Sequence, residues 1–259
     1  MDDVMPPEYK RAGYWYTWVL TPAIDVLEKA ASSIDSLFSA QDDARASLLE
    51  SHPWFYRLGT AERNEFFDYC SELDLIHEEL DFVLSEFDLG IDSFQPEELY
   101  LGRLRLLYHG DNADFRVHAY REKVFKLVNY CLHLNISHAG LGKLKFNEAI
   151  SNALERRRFY EVGRLLSQLS LDRTVSQAMV RRTLLTHKLA MRDSLMASRR
   201  RVEENIAEVG GVELVERLVG LEGWRKKKRK EIDAVCARLA DFRFELVAAL
   251  KKAASKGGQ

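Results

Sequence analysis

Apolar residues recur every seven positions in the middle of the chain. Across residues 114–135, Val117, Val124 and Cys131 form one set, and Tyr120, Leu127 and Leu134 form a second. This spacing places six side chains on one stripe of an α-helix, the seam that packed helices share. A second seven-residue repeat, Ile232–Leu239–Leu246 with Val235–Phe242–Ala249, marks the last helical region. Beside the first seam runs a polar row: His118, Glu122 and Asn129 at i, i+4 and i+11, with Arg121 alongside and Arg116 and Lys123 flanking. Such a row either pairs with neighbouring helices or lines a site.

Helical periodicity continues on both sides. Residues 14–40 carry an apolar face begun by Trp15 and Trp18, which Pro22 bends or splits. A short helix at 44–51 ends at His52-Pro53. Over 60–87, Phe66, Phe67, Cys70, Leu73, Leu80, Val83, Leu84 and Phe87 form the stripe, with Thr60 as candidate N-cap. The opposite face is acidic: Glu65, Asp68, Glu72, Glu79 and Glu86. Pro96 opens a helix over 97–108, and Gly110-Asp111-Asn112 reads as a turn before the central helix. A loop (NISHAGLG) follows at 135–142, then a helix over 144–169 that exposes Arg156-Arg157-Arg158. A long helix runs from Thr174 to about residue 209, and Gly210-Gly211 breaks it. The last region, 212–254, is interrupted near Gly220 and Gly223, and the tail 255–259 is disordered. No strand pattern occurs, so the expected fold is an all-α bundle with several long helices, one domain over 1–254.

Composition sharpens this. All five prolines lie at or before Pro96, and a chain free of proline thereafter suits long helices. Three scattered cysteines (Cys70, Cys131, Cys236) make no disulfide framework, which points to a reducing compartment. The acidic start lacks an apolar leader, and the run from Tyr14 to Leu20 is too short to span a bilayer. The expected setting is therefore cytoplasmic, with no membrane contact. Net charge is −2, yet residues 1–100 hold 6 Lys+Arg against 22 Asp+Glu, and the remainder hold 32 against 18. Either the two halves neutralise each other or a second copy, or the basic half offers a surface to a polyanion. Arg156–Arg158, Arg199–Arg201 and the run 225–230 (RKKKRK, beside Trp224) are the candidate phosphate contacts.

The strongest candidate chemistry lies in TVSQAMVRRTLLTHKLAMR. His187 shares a stripe with Val180, Leu184 and Met191, and follows Arg181 and Arg182. Histidine moves protons near neutral pH, and arginine stabilises charge on a phosphoryl oxygen. Together they can cleave RNA without a metal, the ribose 2′-hydroxyl acting as internal nucleophile. The order FRVHAYREKVFKLVN, then RRTLLTH in a later helix, resembles the HEPN superfamily, whose signature is Arg, four to six residues, then His. The resemblance covers roughly residues 60–200 and implies an elaborated helical bundle, usually a homodimer. It also implies either a metal-independent endoribonuclease of toxin or phage-defence type, or a member that has lost catalysis and binds a protein partner. In the catalytic case Arg182 would stabilise phosphate, with Arg181 as its alternate, and His187 would be the acid/base. Arg116 or Arg121 would hold RNA phosphate, His118 would be a second proton-transfer group, and Glu122 would orient a histidine.

Metal and cofactor chemistry finds little support. Asp74-x-x-His77 with Glu78 lacks the second Glu-x-x-His of a di-iron bundle, and His77-Glu78 lacks the second histidine of a zinc protease. Gly140-Leu141-Gly142 lacks the Lys-Ser/Thr of a phosphate loop. No metal and no cofactor is therefore expected.

Overall fold

The computed structural model describes residues 15, 17–31, 33–89, 99–137, 142–187 and 211–256. Among these the chain forms α-helices and the turns that join them, without a strand. The helices are α1 (Thr17–Ala30), α2 (Ile34–Ser39), α3 (Gln41–Ser51), α4 (Pro53–Tyr56), α5 (Thr60–Asp88), α6 (Leu99–Cys131), α7 (Lys143–Arg156), α8 (Tyr160–Leu171), α9 (Arg173–His187) and α10 (Gly211–Lys256). No helix among the described residues is long and apolar enough to cross a membrane. They divide into two compact units. One takes in Met1–His77, Tyr120–Ser170 and Leu239–Gln259; the other takes in Glu78–Ala119 and Leu171–Arg238.

The first unit is built on the predicted seams. Tyr120, Val124, Leu127, Cys131 and Leu134 are all buried, as are Leu239, Phe242, Leu246 and Ala249. Trp15 has no exposed surface; its indole meets Tyr120 edge-on, and its backbone N–H donates to both Asp74 oxygens at 2.8 and 3.0 Å. Pro22 lies inside α1 without splitting it. Proline has no N–H for the carbonyl four residues back, which is Trp18. That carbonyl is met by His52 Nε2 at 3.1 Å, from the residue that ends α3. A bond to a carbonyl needs the ring as donor, so Nε2 carries the proton. Burial lowers the pKa of His52, and the bond to the Trp18 carbonyl opposes that shift.

The expected helix over 144–169 is two helices. Arg158, at φ 61°, takes a left-handed conformation between α7 and α8, and Phe159 N–H bonds back to the Leu154 carbonyl. Arg157, though exposed, reaches back over the chain after α6: its Nη1 donates to the carbonyls of Leu132 (3.3 Å) and His133 (2.9 Å).

In the second unit Val117, Ile232 and Val235 are buried with Leu80, Val83, Phe87 and Leu106. Here the expected turn at Gly110-Asp111-Asn112 is absent, and α6 runs through it. Gly110 serves close approach: a Cβ there would stand 3.3 Å from Lys228 Cε and 3.5 Å from both Phe87 and Trp224. Nor is α10 interrupted at Gly220 or Gly223. Each helical glycine costs about 1 kcal/mol relative to alanine, and the ties of Arg225 and Lys228 in the next turn oppose a break there. The last helix continues to Lys256, two residues into the expected tail, and residues 257–259 lie outside those described.

Two expectations follow. Gly110→Ala gains helix propensity but presses on the end of Lys228, which Asp114 holds, so the two effects oppose and stability should change by less than about 1 kcal/mol. Gly110→Leu must push into Phe87 and Trp224 and should lose about 1–3 kcal/mol in urea denaturation. The second concerns His77, buried edge-on against Tyr120 at 5.3 Å. Burial first, then the charge of Arg243, lowers its pKa from 6.5 to about 4. Between these values the unfolded chain binds the proton and the folded chain does not. Stability should therefore fall as pH drops through this window, by about 2 kcal/mol between pH 7 and pH 4.5. His77→Phe should remove that part of the pH dependence.

Candidate functional site

The two cations that flank the polar row of α6 are held by α5, and so are Tyr130 and His109 on the same helix. In the first unit the Tyr130 hydroxyl donates to Glu65, and Lys123 pairs with Glu72. In the second, Arg116 Nε meets Glu79 at 2.6 Å, and His109 stands 3.6 Å from Glu86, which also takes Arg105 Nη2 at 2.7 Å. In each unit the carboxylates descend α5 by seven while their partners climb α6 by seven, so within each unit the two helices run antiparallel. Of the remaining predicted contacts, Arg121 Nε donates to Ser170 Oγ at 3.0 Å, and its guanidinium lies 5.4 Å from the Phe125 ring centre. Burial lowers the pKa of Arg121, and Glu122 opposes that shift. His118 and Glu122 are half-buried.

The predicted catalytic arginines lie beside the start of that row. Arg181 grips Asp114 with two bonds, Nε at 2.8 Å and Nη2 at 3.0 Å, and its Nη1 stands 3.2 Å from Glu231. Lys228 Nζ reaches the two Asp114 oxygens at 3.1 and 3.0 Å. Asp114 and Lys228 are both buried, so this is an interior cluster in which one carboxylate serves two cations. The Asp114 bonds raise the pKa of Arg181. Arg182 lies over the Phe115 ring at 5.8 Å and is half-buried. His187 is the last residue of α9; its side chain lies outside the described residues.

The basic run of α10 is mostly occupied. Arg225 donates to Glu222 at 2.7 and 2.6 Å and to the Phe87 carbonyl. Arg229 pairs with Asp88, Lys226 reaches Glu222 at 3.3 Å, and Lys228 belongs to the Asp114 cluster. Lys227 and Lys230 face solvent. Of the other two clusters, 156–158 forms the exposed α7–α8 turn, and Arg199–Arg201 lies outside the described residues. No group of three or more His, Cys, Asp or Glu among the described residues is placed to hold a metal.

A feature that the sequence analysis missed lies in the first unit. A cleft of about 620 Å³ is lined by Leu58, Glu62, Glu65, Tyr69, Lys126, Asn129, Tyr130, His133, Asn135, Ile136 and Ser137. Its rim is the chain after α6. His133 and Asn135 there are left-handed (φ 45° and 56°). The Asn129 side chain clasps Ile136 at both ends, donating to its carbonyl and accepting from its N–H, each at 3.1 Å. His133 Nε2 bonds the Trp54 carbonyl at 2.9 Å. Tyr69 and Tyr130 stand 6.0 Å apart, and the ammonium groups of Lys123 and Lys126 lie 5.2 and 5.0 Å from the Tyr69 ring centre. Burial raises both phenol pKa values, and Glu65 adds to each. Asn129 was the one signal: a polar residue that ends a polar row close to a loop.

Asp114 gives a direct stability test. Asp114→Ala leaves a buried ammonium without its counter-charge and should cost about 3–5 kcal/mol in urea denaturation. Arg181→Ala should cost less, because Lys228 still neutralises Asp114.

Compared with protein-family models, curated proteins and solved structures, the chain matches none.

Proposed function

We propose that this chain is a non-catalytic helical interaction protein that retains a HEPN-like fold. The observation carrying this reading is the engagement of Arg181, whose three contacts to Asp114 and Glu231 hold together α6, α9 and α10 of the second unit. A guanidinium used in this way is withdrawn from a phosphoryl group. The engagement of the 225–230 run with Glu222, Asp88 and Asp114 points the same way, since these cations neutralise acids of the chain itself.

A second reading, a metal-independent endoribonuclease, draws on Arg182. It is half-buried against Phe115, on the residue next to Arg116, and precedes His187 by five positions on α9. On a continuous helix these two side chains point roughly 140° apart. That reading therefore needs the Arg182 side chain to wrap round the helix, or a homodimer in which a symmetric partner brings its own copy across.

The test is RNA cleavage in EDTA by the wild-type protein and by His187→Ala, with helicity of both followed by circular dichroism. No cleavage by either folded protein is the expected result. Metal-independent cleavage that falls about 10²–10⁴-fold in the mutant would establish the nuclease instead and make Arg182 the next residue to change.

A further inference from the structure

The cleft beside Tyr69 belongs to neither reading of α9. It is an open cavity of about 620 Å³ with two phenol rings in its wall. The Tyr69 ring already carries ammonium groups of the chain, Lys123 at 5.2 Å and Lys126 at 5.0 Å from its centre. An aromatic face so placed attracts cations through the electron density of the ring. The charge around it has the matching sign. Glu62 and Glu65 line the cleft, three residues apart on α5. Glu65 also accepts from Tyr130, which fixes the second ring, and Glu62 accepts the Gly59 N–H at 2.7 Å, which fixes its own carboxylate. Lys123 is bound to Glu72, and Lys126 is the lysine that lines the cleft with Glu62 and Glu65. The rim does not depend on an occupant, because the Asn129–Ile136 clasp and the His133–Trp54 bond hold it.

We propose that this cleft is a binding site for organic cations, taking the ammonium or guanidinium group of a lysine- or arginine-bearing peptide or of a free polyamine. The entering cation takes the place of Lys126 on the Tyr69 ring, with its charge met by Glu62 and Glu65. The site stands whether or not residues 182–187 carry chemistry, so the RNA cleavage result leaves it untouched.

The experiment is isothermal titration of the full chain with spermidine, with a capped peptide of alternating lysine and glycine, and with its glutamate counterpart. Binding of an amine probe but not of the glutamate peptide is expected. Glu62→Gln combined with Glu65→Gln should weaken binding at least about tenfold. Lys126→Gln should tighten it severalfold, whereas Lys145→Gln, an exposed lysine of α7 outside the cleft lining, should not. Binding of the peptide alone identifies a protein segment as the source of the cation, and binding of spermidine alone identifies a free amine. Absence of binding by both amines at millimolar concentration overturns the proposal. So does equal tightening by the two lysine variants, which would mean only a general surface charge. Lys126→Gln alters a half-exposed residue, so it keeps the test decisive if the double glutamate variant melts early.

Discussion

The register between α5 and α6 is the constraint on which the rest depends. Both helices place apolar residues at seven-residue spacing, with charged partners at the same spacing beside them. Glu65, Glu72, Glu79 and Glu86 meet Tyr130, Lys123, Arg116 and His109 in turn. Each partly exposed pair contributes little to stability by itself, about 0–1 kcal/mol. Their collective effect is on register within each unit, because a slip of less than one heptad removes these carboxylates from their partners.

The same logic accounts for the uneven charge along the chain. Carboxylates that come early in sequence are met by later cations: Asp88 by Arg229, Glu86 by Arg105, Glu72 by Lys123. The interior cluster at Asp114 extends this pairing into the core of the second unit. There a buried carboxylate needs counter-charge, and Lys228 and Arg181 both provide it. A basic stretch that resembles a phosphate-binding run is thus in large part the complement of the protein's own acids.

Local backbone needs shape the first unit in a similar way. Pro22 leaves the Trp18 carbonyl without a helical donor, and His52 supplies one from the junction of α3 and α4. The left-handed residues after α6 are held by a side-chain clasp from Asn129 and by Arg157. That clasp gives the cleft a fixed rim, and Tyr69 lines the cleft together with Lys126, Glu62 and Glu65.

The amino-acid sequence by itself determined the all-α class, the two seven-residue seams and the acidic face of α5, because helical periodicity is a local property of the chain. It also contained the polar row of α6, and the alternative that the row pairs with neighbouring helices describes Arg116 and Lys123 well. It misjudged Gly110, Gly220 and Gly223, where glycine reads as a break yet the helix continues. At Gly110 the reason is non-local: the bare Cα admits Phe87, Trp224 and Lys228. Arg181 and Arg182 stood out as neighbours of a histidine, but spacing along one helix says nothing of Asp114, which lies 67 positions away and engages the first of them. Only the tertiary structure decided which cations are consumed in the interior and where a cleft remains, because both depend on residues distant in sequence meeting across packed helices.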